Sequence, residues 1–119
     1  MRSANRWVSF VTKLNRQTQE GRIRWRFVGD QEDFATSDFQ RYGPAYIAEI
    51  DDATVRIYSL KTLREENYWM EDIILEVQTS ETGDLVRIPG VSGLEDLYES
   101  VKYKTNKIDE FVDRFLNEQ

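Results

Sequence analysis

Between residues 3 and 18 the apolar side chains Trp7, Phe10, Val11 and Leu14 fall at i, i+3, i+4 and i+7, the stripe of one helical face. Gly21 supplies a stop just beyond it. At about 100° per residue, Arg2, Arg6, Lys13 and Arg16 gather well away from that stripe, so the pattern predicts a basic amphipathic helix. The period then changes to two. Residues 22–28, Arg-Ile-Arg-Trp-Arg-Phe-Val, alternate strictly, which predicts a strand with Ile23, Trp25 and Phe27 on one side and Arg22, Arg24 and Arg26 on the other. Residues 29–44 show no period and read as a long loop.

From 45 to 60 the spacing predicts two strands meeting in a hairpin turn at Asp51-Asp52, with Tyr46, Ala48, Ile50, Ala53, Val55 and Ile57 on one face and Glu49, Thr54, Arg56 and Tyr58 on the other. After the polar residues 61–67, a strand over 68–79 points Trp69, Ile73, Leu75 and Val77 one way and Asp72, Glu76 and Gln78 the other. A glycine-containing turn over 80–84 leads to a short strand over 85–88, ended by Pro89 and Gly90. Ser92 and Glu95 have the spacing of a capping box and open a helix that runs close to the C-terminus, with Leu94, Val101, Ile108 and Phe115 repeating at an interval of seven. One continuous helix of about 24 residues spans roughly 36 Å, whereas five strands are only about 20–24 Å across. Part of the helix is therefore expected to overhang the sheet, with Lys104-Thr105-Asn106 marking the expected kink. Short connections make adjacent strands antiparallel. The fold predicted is α+β: an antiparallel sheet of about five strands with the N-terminal and long C-terminal helices packed on one face.

A chain of 119 residues buries roughly 65–70 % of its unfolded surface, enough for one core, so residues 1–119 are expected to form one domain. The absence of cysteine and histidine excludes disulfides, thiol chemistry, Cys/His zinc sites and every triad with imidazole as base. The six glycines are scattered singly and form no phosphate-binding motif. The acidic pairs Asp51-Asp52, Glu65-Glu66 and Glu71-Asp72 would have to converge to hold a metal or act as a carboxylate pair, and two of the three fall in predicted turns. Ser92 has no available base and reads as a helix cap. Neither an enzyme nor a cofactor or metal site is expected. No apolar run is long enough for a membrane span or signal core, which makes a cytoplasmic location the default expectation. Trp7, Trp25 and Trp69 all fall on predicted core faces and are expected to pack together.

Charge changes this picture more than composition does. Residues 1–26 carry seven cations against Glu20 alone, a net +6; the remainder carries nine cations and 21 anions, a net -12, giving -6 for the whole chain. Arg22, Arg24 and Arg26, projecting about 6.5–7 Å apart from one strand face, are the best candidate for binding an anionic small molecule or an acidic protein, because arginine makes bidentate contacts with phosphate and carboxylate. The competing reading is an internal charge ladder in which Glu49, Asp72 or Glu76 on neighbouring strands supplies the anion. The second candidate surface is Ile108, Phe111, Val112, Phe115 and Leu116, an apolar stripe beyond the width of the sheet, which points to a homodimer interface.

The run Ile-Pro-Gly-Val-Ser-Gly-Leu-Glu-Asp-Leu-Tyr-Glu-Ser-Val-Lys-Tyr over 88–103, the Tyr68-Trp69 strand before it, and the N-terminal helix leading into Gly-x-Ile-x-Trp at 21–25 resemble a group of small hypothetical bacterial proteins. That resemblance spans most of the chain, implies a bacterial or phage origin, and transfers neither an activity nor site residues. The function these readings favour is a non-enzymatic, acidic, self-associating interaction or adaptor module. The alternative is a small-ligand or nucleotide binder, a sensor or sequestering protein, using the arginine strand. Nucleic acid is not an expected partner.

Overall fold

A computed structural model describes residues 2–29, 39–81 and 83–118. Helix α1 (Arg2–Gln19) ends where Gly21 takes a left-handed conformation (φ 76°). There the Arg22 amide donates to the Gln17 carbonyl at 2.9 Å and the Gly21 amide to that of Thr18 at 3.1 Å, the paired bonds of a Schellman stop. A Cβ at Gly21 would meet nothing within 4 Å, so Gly21→Ala isolates the cost of the left-handed conformation. A loss of about 1 kcal/mol in denaturant unfolding is expected.

The sheet is an antiparallel meander in chain order: β1 (Trp25–Gly29), β2 (Gln40–Ile50), β3 (Ala53–Arg64), β4 (Tyr68–Thr79) and β5 (Leu85–Arg87). The α+β class, the five antiparallel strands and the Asp51-Asp52 turn agree with the sequence expectation, and β4 occupies the predicted residues. The expected loop over 29–44 does not extend so far, because β2 begins at Gln40; residues 30–38 lie outside the described residues. β2 carries one extra residue between Tyr42 and Ala45, a bulge containing Gly43 and Pro44. Gly43 is needed there because a Cβ would lie 2.9 Å from Ser59 Cβ. Pro44 contributes its carbonyl, which accepts from the Tyr98 hydroxyl at 2.7 Å.

Helices α1 and α2 (Leu94–Thr105) cover one sheet face. Val11 and Leu14 of α1 and Leu97, Tyr98 and Val101 of α2 join Trp25, Tyr46, Ala48, Val55, Ile57 and Leu75 in the core. Thr18 is buried there with its polar atoms satisfied: its hydroxyl donates to the Leu14 carbonyl at 2.7 Å and accepts from Trp25 Nε1 at 3.0 Å. The tryptophans do not form one cluster. Trp7 meets Phe10 edge-on, Trp25 is in the core, and Trp69 lies in register with Leu63, eight residues along β3 from Val55, roughly 27 Å away.

The C-terminal region departs from a single helix. The chain breaks at Asn106 and Lys107, with Lys107 left-handed (φ 56°), and restarts as α3 (Ile108–Asn117). The predicted interruption beside Lys104-Thr105-Asn106 is thus a break and not a bend. The expected capping box at the start of α2 is not formed: Gly93 (φ 97°) is the N-cap, without a side-chain cap bond, one residue later than Ser92. Glu95 and Asp96 sit in the first turn, where carboxylates complement the helix dipole.

Candidate functional site

The arginine stripe divides. Its strand begins at Trp25 and not at Arg22, so the strict alternation in sequence does not become one flat face. Arg22 and Arg24 precede β1 and line a cleft of about 850 Å³ between α1 and the β2–β3 turn, shared with Lys13 and, on the far side, Glu49, Asp51 and Asp52. Arg26 pairs with Ile47 within β1–β2 and is not among the lining residues. Arg22 lies 3.7 Å from Glu20, an exposed pair of small energetic value. Among the described residues no carboxylate lies within 4.0 Å of Arg24 or Arg26.

Glu76, one of the acids expected opposite that stripe, belongs to a different network. Register places Arg56, Glu76 and Arg87 side by side on β3, β4 and β5. Arg56 donates to Glu76 Oε1 from Nε at 3.1 Å and Nη2 at 2.7 Å, and the Tyr58 hydroxyl donates to Oε2 at 3.0 Å. Arg87 Nη2 donates to the Tyr58 oxygen at 3.2 Å and stands 3.6 Å from the carboxylate. Glu76 is only 6 % exposed. Sequence reasoning missed this cluster because its residues lie on three strands, and only the strand register brings them together.

Burial, and then the neighbouring Glu76 carboxylate, push the Tyr58 hydroxyl up from 10.0 to about 12, with Arg87 opposing. The unfolded chain therefore releases this proton at lower pH than the folded one. The associated stability is fully present below pH 10 and is lost as pH rises towards about 12. Tyr58→Phe is expected to make that decline shallower, which denaturant unfolding at pH 9, 10 and 11 checks; an unchanged slope would contradict it. Burial likewise pushes the Tyr98 hydroxyl upward.

The three acidic pairs Asp51-Asp52, Glu65-Glu66 and Glu71-Asp72 do not converge on one another, although Glu71 and Asp72 share a cleft with Glu95 and Asp96. Asp51-Asp52 and Glu65 are separated by the whole of β3, roughly 40 Å of strand, and Glu71 and Asp72, as strand neighbours, point to opposite faces. Among the described residues no group of three acids is placed to hold a metal ion, and no helix is long and apolar enough to cross a membrane.

The second candidate surface is as exposed as its sequence suggested. Ile108, Phe111, Val112, Phe115 and Leu116 are 38, 54, 42, 64 and 72 % exposed. Phe111 and Phe115 stack on each other with centroids 6.1 Å apart. The Cα radius of gyration is 15.9 Å, against about 13.5 Å for a compact domain of this length. No protein-family model, curated protein or solved structure matches the chain.

Proposed function

We propose that this protein is a non-enzymatic interaction module that self-associates through α3. The observation that carries the reading is the exposed apolar face of a helix only ten residues long. An isolated helix of that length is marginal in water, and its stability in proteins comes from a covered apolar face. The five side chains present on the order of 550 Å² to solvent, near the upper limit for one patch on a monomer. With its polar rim such a face approaches the roughly 800 Å² per partner of a standard interface. A second copy is the occupant that fits. Antiparallel pairing about a two-fold axis sets the apolar stripes together and brings Lys107 at the start of α3 near Glu118 beyond its end. A self-associating protein gains stability by mass action, so its melting temperature is expected to rise with protein concentration from 1 to 100 μM; a concentration-independent value would argue against the reading.

The cleft lined by Lys13, Arg22 and Arg24 supports a second reading, a binder of anionic small molecules or nucleotides. On that reading Arg24→Glu leaves stability within about 0.5 kcal/mol of the parent, since the side chain is exposed, and abolishes the melting shift produced by a nucleotide. A nucleotide shift that survives Arg22→Glu/Arg24→Glu removes this reading.

A further inference from the structure

The end of the helix-covered sheet face furthest from α1 carries a group of side chains that none of the foregoing uses. Arg41, Lys61 and Glu71 lie in register across β2, β3 and β4. Like charges directly opposite one another on a sheet destabilise it, and Arg41 and Lys61 are such a pair. Glu71, on the other flank of Lys61, is engaged elsewhere: its Oε2 accepts from Ser59 Oγ at 2.6 Å. Among the described residues no carboxylate is within 4.0 Å of either cation. Arg41 is nevertheless held in place, for its guanidinium reaches across β3 and lies 4.6 Å from the centre of the Trp69 ring. A stacked guanidinium has its plane fixed and its donor edge free for an oxyanion. Together with Gly43 these residues line a cleft of about 380 Å³, within the range of small-molecule sites.

We infer that this cleft binds a small phosphorylated metabolite, the phosphate between Arg41 and Lys61 and a hydroxyl or amino group of the same molecule donating to Glu71. Arg41 offers two parallel N–H donors and Lys61 a third, flexible one. The anion relieves the repulsion between the two cations. Glu71, with one carboxylate oxygen already fixed by Ser59, repels a bare phosphate and rewards a ligand that carries a donor away from its charged end.

Isothermal titration of the full chain with inorganic phosphate, ribose 5-phosphate and phosphoethanolamine tests this, the last two separating a hydroxyl from an amino donor. At least one phosphoester is expected to bind tenfold or more tightly than inorganic phosphate. Arg41→Gln and Lys61→Gln should each weaken it at least tenfold, and Glu71→Gln should remove its advantage over inorganic phosphate. Arg22→Gln/Arg24→Gln should leave it unchanged, which separates this site from the cleft beneath α1. Should Arg41→Gln unfold through loss of the Trp69 stack, the exposed Lys61 variant decides. Absence of binding by both phosphoesters, affinity unaltered in Lys61→Gln, or no preference over inorganic phosphate overturns the assignment.

Discussion

Glu76→Ala is expected to lower unfolding stability by about 2–4 kcal/mol. The carboxylate is almost fully buried, and its removal takes the charged acceptor away from an Arg56 side chain that is only 25 % exposed and from the buried Tyr58 hydroxyl. Breaking a fully buried ion pair costs about 3–5 kcal/mol; the partial exposure of Arg56 lowers that range. Glu76→Gln keeps one acceptor oxygen, enough for Arg56 or Tyr58 but not for both, and should lose less. Arg87→Ala should change stability by under about 1 kcal/mol, because that side chain is 55 % exposed and contributes at the rim. Urea unfolding of the three variants checks the order. Equal small losses for Glu76→Ala and Arg87→Ala would mean that the network contributes no more than a surface ion pair.

The second large effect is on association. Replacing Phe111 and Phe115 together by aspartate is expected to raise the dimer dissociation constant more than 100-fold, since a buried charge would replace each aromatic anchor at the centre of the stripe. The folded protomer should be little disturbed. Both rings are more than half exposed, and α3 makes its contacts chiefly with the end of α2. Sedimentation velocity read beside far-ultraviolet circular dichroism separates the two: the variant should lose the larger species and no more helix than the ten residues of α3. Association equal to the parent's would remove α3 from the interface.

The elements that sequence periodicity located are those whose large apolar side chains gather mainly on the helix-covered face. Trp7, Phe10, Val11 and Leu14 repeat at the helical interval because the sheet lies under one side of α1, and β4 was legible because Ile73, Leu75 and Val77 share the core face while Asp72, Glu76 and Gln78 take the other. Periodicity failed where backbone conformation decides. Alternation at Arg22 to Arg26 mimics a strand, yet the Schellman stop at Gly21 delays the sheet until Trp25. The seven-residue repeat running from Leu94 to Phe115 says nothing of a left-handed Lys107, which separates the buried half of the stripe from the exposed half. The bulge at Gly43-Pro44 and the registers that assemble Arg56, Tyr58, Glu76 and Arg87, or Arg41, Lys61 and Glu71, are long-range properties. No local pattern encodes them.

Self-association through α3 is tested most directly by the mass of the intact chain in solution. Static light scattering of the eluting peak at tens of micromolar is expected to give about 28 kDa, twice the 14.1 kDa protomer, falling towards the protomer mass on dilution. A mass of 14.1 kDa at every concentration would contradict it.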